Sequence, residues 1–221
     1  MIGVVLFPGS NCEQDAVEAI RHLGGDADLL WHGDDTVGQA DAVIVPGGFA
    51  HGDYLRPGAI ARFSPIMAAV AKFATDGGPV VGICNGFQVL TEAGLLPGAL
   101  QKNAGLKFLC TDVELRVEST DSALTSAATK GDVLRVPINH FEGNYTCSAE
   151  TLHQLHDEER VVLRYVRNPN GSLDDIAGVC NEGRNVVGLM PHPERACHEL
   201  LGSTDGAPLL RSLLAAASAR V

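Results

Sequence analysis

The feature that most constrains the fold is an alternation of short apolar runs with amphipathic segments in the part of the chain before Gly105. The runs "IGVVLF", "ADLLW", "DAVIVPGG" and "PVVGI" have the length and composition of buried strands. Between them, segments such as "CEQDAVEAIRHLGG" carry apolar residues at helical spacing and stop at glycine. This alternation predicts an α/β fold with an open, mostly parallel sheet and helices on both faces. Ligands of such sheets bind beyond the carboxyl ends of the strands.

The sequence after Gly105 predicts a different kind of strand. "GLKFLCTDVELRVES", "DVLRVPINHFEGNYTC" and "RVVLRYVRNPNGS" alternate more, and turn signals such as Asn170-Gly171 separate them. We interpret them as additional, partly antiparallel strands of the same domain. "DIAGVCN" and "NVVGLM" again have the pattern of short apolar strands, and "APLLRSLLAAASA" predicts a final helix. With no repeat or long linker, residues 1–221 are expected to form a single domain.

Two helix starts are also predicted. Ser10 or Asn11 is a plausible N-cap for the first helix. "AIARFSPIMAAVAKFATDGG" has a helical pattern in which Pro65 restarts the helix rather than sitting inside it.

The charge balance and the cysteine spacing exclude several classes of protein. The net charge is −11, with 16 Lys+Arg against 27 Asp+Glu, which argues against a nucleic-acid partner. No apolar run is long enough for a membrane span, and the start "MIGVVLFPGSNCEQ" lacks a signal-peptide pattern, so we expect a cytoplasmic protein. None of the six cysteines forms a C-x-x-C pair, which favours reduced thiols over disulfides or a zinc ribbon.

The stretch "GICNG" places Cys84 between Gly82 and Gly86, where a predicted strand meets a predicted helix. This G-x-C-x-G pattern is typical of a nucleophile elbow, because glycines two positions away relieve crowding around a sharp turn. The N–H of Asn85 would then point toward an oxyanion formed on a carbonyl that Cys84 attacks. The alternative is a buried cysteine in a glycine-rich loop. Cys12 is a rival that also opens a helix but lacks flanking glycines, which favours a structural role.

A thiol nucleophile needs a base and an orienting group, and "LMPHPER" offers both. In extended backbone His192 and Glu194 would point to the same side, so the carboxylate would hold the imidazole tautomer. His140, with its neighbour Glu142, is the runner-up base. A metal cluster that adds Cys197 and His198 is disfavoured because the prolines and the spacing do not suit a closed site, so no metal is expected.

A third segment, "PGGFAHGDYLR", follows a predicted strand. Consecutive Gly47 and Gly48 would let backbone N–H groups approach a ligand closely. An ordinary turn between a strand and a helix is the alternative. The functional interpretation requires Gly48 or Phe49 to lie beside Cys84.

Together these motifs make the chain resemble the class I, triad-type glutamine amidotransferases. "GICNGFQVL", "PGGFAHGDYLR" and "PHPER" carry the broad resemblance, and "FPGSNCEQDA" with "RYVRNPNGS" narrows it to glutaminase subunits of phosphoribosylformylglycinamidine synthase in purine biosynthesis. The motifs are in the family's order and cover nearly the whole chain. "PINHFEG" departs from the family's "PIAHGEG", with Asn139 and Phe141 at the differing positions, and "QKN" stands where an arginine is more usual before the asparagine.

The resemblance implies a flavodoxin-like domain that hydrolyses L-glutamine to glutamate and ammonia through a cysteine thioester. Cys84 would be the nucleophile, His192 and Glu194 would complete the triad, and the N–H groups of Asn85 and of Gly48 or Phe49 would form the oxyanion hole.

The resemblance also implies partners. Ammonia would pass to a synthetase subunit that uses ATP and magnesium to aminate formylglycinamide ribonucleotide, together with a small accessory subunit. No cofactor is expected on this chain, in keeping with the absence of a G-x-x-x-x-G-K-[ST] loop. Two other interpretations stay open. One is a different elbow-cysteine hydrolase, a class that typically has histidine where this chain has Asn85; the other is a binding module that has kept the fold without the chemistry.

Overall fold

The computed structural model describes residues 1–220, which contain one nine-stranded sheet, a two-stranded sheet and five α-helices. The strands are β1 (Ile2–Leu6), β2 (Ala27–Trp31), β3 (Ala42–Val45), β4 (Val80–Ile83), β5 (Ala99–Gln101), β6 (Leu109–Val117), β7 (Val133–His140), β8 (Asn144–Thr146), β9 (Val161–Tyr165), β10 (Ile176–Cys180) and β11 (Val186–Leu189). The helices are α1 (Glu13–His22), α2 (Pro65–Thr75), α3 (Asn85–Glu92), α4 (Ala149–Asp157) and α5 (Ala207–Ser218). Within residues 1–220 no helix combines the length and apolarity needed to cross a membrane.

The parallel part of the main sheet confirms the predicted fold class. Strands β2, β1, β3, β4 and β11 lie side by side in that order, and all four pairings between them are parallel. Every residue of β3, β4 and β11 is buried. Because successive side chains of a strand point to opposite faces, both faces of the sheet are therefore covered.

The second part of the main sheet is antiparallel, as the alternating sequence predicted. From β11 the order continues β10, β9, β6, β7, and each of these pairings is antiparallel. Strands β5 and β8 form a separate antiparallel pair. The pattern analysis did not predict α4, which begins after Ser148, whose hydroxyl accepts a hydrogen bond from the N–H of Thr151.

The predicted N-cap of α1 is wrong, and the predicted restart at Pro65 is confirmed. Helix α1 is preceded by Cys12, which makes no side-chain cap, and the N–H groups of Asn11 and Cys12 both donate to the carbonyl of Gly47. The Ser10 hydroxyl accepts instead from the N–H of Phe7. Helix α2 begins at Pro65 after a short 3-10 turn over Ala61–Phe63.

The topology brings the candidate segments to one edge of the sheet. Strands β1, β3, β4 and β11 are parallel, so their carboxyl ends lie together. The loops that leave these ends carry Cys12, Gly48, Cys84 and His192 in turn. Chain segments far apart in sequence therefore meet where an α/β sheet ordinarily binds its ligands.

Candidate active site

Cys84 occupies a sharp turn between β4 and α3, with φ 51° and ψ −106°. A non-glycine residue at positive φ is strained, and such strain is common where a nucleophile is held on a strand-to-helix turn. A Cβ on Gly86 would lie 1.8 Å from the carbonyl oxygen of Val45, and one on Gly82 would lie 2.7 Å from the carbonyl of Gly86. Both glycines are therefore required by the backbone packing around the turn, as the G-x-C-x-G spacing predicted.

His192 and Glu194 form a buried pair. The Nδ1–H of His192 donates to Oε1 of Glu194 at 2.6 Å, and the two residues are 1% and 2% exposed. The contact was predicted, but its predicted cause is wrong, because Pro193–Arg195 is a 3-10 turn rather than extended backbone. With Nδ1 protonated, Nε2 is the basic nitrogen of the ring.

The electrostatics of this pair favour a charged imidazole. Burial alone would lower the pKa of His192, but the Glu194 carboxylate and then the Cys84 sulfur hold it well above its ordinary value. A histidine in this setting readily keeps a proton taken from a neighbouring thiol. The triad residues named from the sequence are thus brought together in one place.

The loop after β3 lies directly against these side chains. A Cβ on Gly47 would be 2.8 Å from Cε1 of His192 and 3.5 Å from Cβ of Cys84. Gly48 has φ 140°, and a Cβ there would be 2.6 Å from the N atom of Asn11. Only glycine fits at position 48, where the contacts are backbone atoms, whereas a Cβ at position 47 would press on the His192 side chain.

The backbone N–H groups of Gly48 and Phe49 differ in whether they are free to bind an oxyanion beside Cys84. The N–H of Phe49 donates to the carbonyl of Gly9 at 2.9 Å, so it is not free to bind an oxyanion, and this half of the predicted alternative is corrected. The N–H of Gly48 donates to no backbone or side-chain acceptor among residues 1–220. Asn85 is the first residue of α3, where a backbone N–H has no partner within the helix.

Cys84, Gly48, Phe49 and His192 all line one cavity of about 270 Å³. Four other lining residues were not predicted from the sequence to belong to a site: Asn11, Asp53, Gln88 and Arg195. A signal for Asp53 was available, since "HGDYLR" puts a carboxylate in a loop that follows a strand. Gln88 could have been found from helical spacing, because it lies one turn after Cys84.

Cys12, the rival thiol, lies in the same cavity but in a different setting. Its Sγ is 3.3 Å from Nη2 of Arg195, whose Nε donates to Asp15. The Cys12 thiol, the His192 imidazole and the Glu194 carboxylate have ligand atoms within 4.8 Å of one another. The Arg195 guanidinium disfavours a metal cation there, and Oε1 of Glu194 is already used by His192.

The wider metal cluster considered from the sequence does not assemble. The Cys197 thiol donates to the backbone carbonyl of Glu194 at 3.2 Å. The His198 ring packs on His22, with the ring centroids 4.2 Å apart. Neither side chain joins His192 as a ligand, and the absence of a metal on this chain stays a prediction.

His140, the runner-up base, is buried in the same cavity wall. Burial and then the charge of His192 lower the pKa of His140 to about 4, so this imidazole is neutral at physiological pH. Its Nδ1 lies 3.1 Å from Oδ1 of Asn103, and within residues 1–220 His140 forms no hydrogen bond or ion pair with the Glu142 carboxylate. His192 is therefore the stronger base and the one with an acidic partner.

Comparison with known proteins agrees with this geometry. Residues 1–206 match the CobB/CobQ-like glutamine amidotransferase domain family. A relative from Rubrobacter xylanophilus, named phosphoribosylformylglycinamidine synthase subunit PurQ, is 59% identical and covers 98% of each chain. The protein of the same name from Koribacter versatilis is 54% identical and covers 99% of each.

The chain belongs to the PurQ family of glutamine amidotransferases. It is also similar to a solved structure described as PurLQS from Thermotoga maritima, with a TM-score of 0.90, 46% identity and 97% coverage of each chain. The flavodoxin-like fold implied by the sequence is thereby confirmed.

Two of the departures from the usual PurQ pattern, Asn139 and Phe141, fall in the cavity wall. Asn139 contributes its backbone carbonyl, which accepts a hydrogen bond from the Cys84 thiol at 3.6 Å. The Phe141 ring lies 5.9 Å from Nζ of Lys102, at cation–π distance. Replacing the family's glycine by Phe141 therefore adds an aromatic wall without displacing the triad.

Proposed function

We propose that this chain is the glutaminase subunit of phosphoribosylformylglycinamidine synthase and that Cys84, His192 and Glu194 perform the chemistry. The observation that carries the proposal is the 2.6 Å hydrogen bond from His192 to Glu194. The pair lies beside a strained cysteine, next to backbone N–H groups that have no acceptor within residues 1–220. A nucleophile, a base and an orienting carboxylate within one cavity are the parts that acyl transfer from an amide requires.

The first half-reaction releases ammonia. The Cys84 sulfur attacks the side-chain amide carbon of glutamine, and His192 takes up the thiol proton. The carbonyl oxygen becomes an oxyanion, which the N–H groups of Gly48 and Asn85 stabilise. His192 then donates its proton to the departing nitrogen, and a γ-glutamyl thioester remains on Cys84.

The second half-reaction frees the enzyme. His192, again neutral, takes a proton from water as the water oxygen attacks the thioester carbon. The same two N–H groups stabilise the second oxyanion, the C–S bond breaks, and the proton on His192 returns to the Cys84 sulfur. Glu194 holds the imidazole in one tautomer throughout and stabilises its charged form.

The ammonia is proposed to pass to a partner. The PurQ relatives are named as subunits of a synthase, which supports an assembly with a synthetase subunit and a small accessory subunit. Exposed apolar side chains beside the cavity mouth support docking there, since Phe49, Tyr54 and Leu55 are 50%, 71% and 81% exposed. ATP and magnesium would be used by the synthetase, and this chain would need no cofactor.

The test is glutamate release from glutamine, measured for the purified chain alone and with its synthetase and accessory subunits, ATP and formylglycinamide ribonucleotide. We expect activity in the complete mixture and none after Cys84→Ala. The Cys84→Ala assembly should still make product when ammonia is supplied. Glutamate release that persists in the variant would refute the assigned nucleophile. A wild-type mixture that uses ammonia but never glutamine would indicate that the chain is a binding module without glutaminase activity.

A further inference from the structure

One wall of the cavity carries hydrogen-bond acceptors that lack donors. Oδ1 of Asp53 accepts a hydrogen bond from Nδ2 of Asn85 at 3.0 Å, and its other carboxylate oxygen has no hydrogen-bond partner within residues 1–220. The Glu142 carboxylate forms no ion pair and no hydrogen bond in the same part of the chain. Two carboxylates in the cavity lining therefore have oxygen atoms that can still accept hydrogen bonds.

His140 adds a third acceptor to this wall. Nδ2 of Asn103 donates to the carbonyls of Lys107 and His140, so Oδ1 of Asn103 must accept from Nδ1–H of His140. This fixes the tautomer, and Nε2 of the neutral ring is an acceptor. His140 is 3% exposed, and its Nε2 has no partner in the described chain. A buried acceptor without a donor is costly unless a ligand supplies the donor.

The charges of the cavity also favour a cationic group. The one arginine in the lining, Arg195, donates to Asp15 and lies on the side of Cys12. Burial, opposed by the Asn85 hydrogen bond and reinforced by Glu142, raises the pKa of Asp53 to about 6. The charged His192 and Arg195 are paired with Glu194 and Asp15, and neither Asp53 nor Glu142 forms an ion pair within residues 1–220.

The loop that presents Asp53 is strained. Besides the glycines, His51, Asp53 and Leu55 have φ values of 54°, 50° and 73°. Left-handed backbone at residues that are not glycine persists only where the surrounding structure imposes it. Here the Asn85 side chain holds the loop at both Ala50 and Asp53.

We propose that Asp53, assisted by Glu142, binds the α-ammonium group of glutamine and so selects an α-amino acid over a simple amide. The inference rests on the proposed function, which supplies the substrate. An ammonium group offers only donors and a positive charge, and the wall offers only acceptors and negative charge. Asp53 is thus a specificity-determining residue of the glutaminase reaction.

The test compares two amides in the assembled synthase. One is glutamine, and the other is 4-carbamoylbutanoate, which is glutamine without its α-amino group. Asp53→Asn should lower kcat/KM for glutamine by about 10- to 1,000-fold, mainly through KM, because it removes one charge of a partly buried pair. It should leave kcat/KM for 4-carbamoylbutanoate unchanged or raised. Glu142→Gln should show the same selectivity with a smaller loss.

The matched control is Asp35→Asn, the same change on an exposed loop, which should leave kcat/KM unchanged for both amides. An equal loss for both amides after Asp53→Asn, or a loss for neither, would overturn the inference. If the wild-type assembly releases no glutamate from glutamine, the proposed function itself fails and the inference falls with it. If the wild type is active and Asp53→Asn keeps its preference for glutamine, only the inference fails.

Discussion

The side-chain carbonyl of Asn85 accepts a hydrogen bond from the backbone N–H of Ala50 at 2.9 Å. This bond joins the helix that follows the nucleophile to the loop that carries Gly48. The two backbone donors proposed for the oxyanion hole are therefore held at a fixed separation by one side chain. Its amide nitrogen also donates to Asp53 and to Oε1 of Gln88, which fixes its own orientation.

Asn85→Ala should therefore impair catalysis although the residue's backbone N–H is retained. Without the side chain, the Ala50 N–H loses its partner and the loop loses its anchor, so Gly48 shifts away from the oxyanion. We expect kcat to fall by about 10- to 100-fold, less than the loss of a donor itself, with stability lower by about 1–3 kcal/mol. Steady-state glutaminase kinetics and hydrogen exchange in the loop measure the two effects. Gln101→Ala, an exposed change in β5, serves as the control, and an unaltered kcat in Asn85→Ala would contradict this role.

Glu194→Gln should uncouple the base from the nucleophile. Against the lowering effect of burial, the Glu194 carboxylate holds the pKa of His192 well above its ordinary value. With glutamine at position 194 the imidazolium is less stable, so the pKa of His192 should fall. We expect kcat to fall by about 10²- to 10⁴-fold and the imidazole NMR signals of His192 to titrate at lower pH than in the wild type.

NMR spectra of the His192 ring recorded over a range of pH values test this shift. Glu199→Gln removes a charge from an exposed position nearby and should leave the profile in place. A Glu194→Gln profile that overlays the wild type would show that Glu194 does not act through His192.

Local sequence was sufficient for the parts of the site that depend on local backbone. The Cys84 turn could be predicted because its glycines lie two residues away, and the His192–Glu194 pair because its members are two residues apart. The sequence could not show which of the N–H groups of Gly48 and Phe49 is available to an oxyanion. The answer depends on Gly9, which lies in the loop after β1 and whose carbonyl accepts a hydrogen bond from the Phe49 N–H.

Asp53 alone had a sequence signal, but the assembly of the acceptor wall could not be predicted, for the same physical reason. Asp53, Asn103 and His140 come from three separate segments, and their contacts exist only after the sheet and the β7 region have assembled. The start of α1 was missed likewise, because the chain that leads into the helix is held by the Gly47 carbonyl, remote in sequence, which accepts hydrogen bonds from the N–H groups of Asn11 and Cys12. Continuous apolar runs located the central strands well because every residue of these strands is buried.

Gly86→Ala should destabilise the whole fold. The added Cβ would lie 1.8 Å from the Val45 carbonyl oxygen, and backbone at a strand end cannot move aside as a flexible side chain does. We expect a loss of about 3 kcal/mol or more in the free energy of unfolding, or no folded protein at all. Gly105→Ala is the control, since a Cβ there meets no atom within 4 Å. Equal denaturation midpoints for the two variants would show that the turn tolerates a side chain.

Asp53→Asn should stabilise the protein at neutral pH. Because the pKa of Asp53 is raised from 3.8 to about 6, its contribution to stability is present below the ordinary pKa and is lost as the pH rises through 6. Removing the ionisable group should then raise the free energy of unfolding at pH 7.5 by about 1 kcal/mol, allowing for the partial exposure of the carboxylate. The advantage should narrow as the pH falls toward 5. Thermal unfolding from pH 5 to 8 measures this difference in stability, with Asp35→Asn as the control. An Asp53→Asn variant less stable than the wild type at pH 7.5 would show that the ionised Asp53 carboxylate does not destabilise the fold.

Gly47→Ala should separate catalysis from folding. The new Cβ would lie 2.8 Å from Cε1 of His192 and 3.1 Å from the Cys12 sulfur, and both atoms belong to side chains that can shift. The fold should therefore tolerate the methyl group, at a cost of about 1–3 kcal/mol. The imidazole, however, would be pushed out of line with Cys84, so kcat should fall by about 10-fold or more, because a catalytic base must stay within hydrogen-bond reach of its proton. Glutaminase kinetics beside thermal unfolding tests this, and a variant with wild-type kcat would show that the loop after β3 does not press on the base.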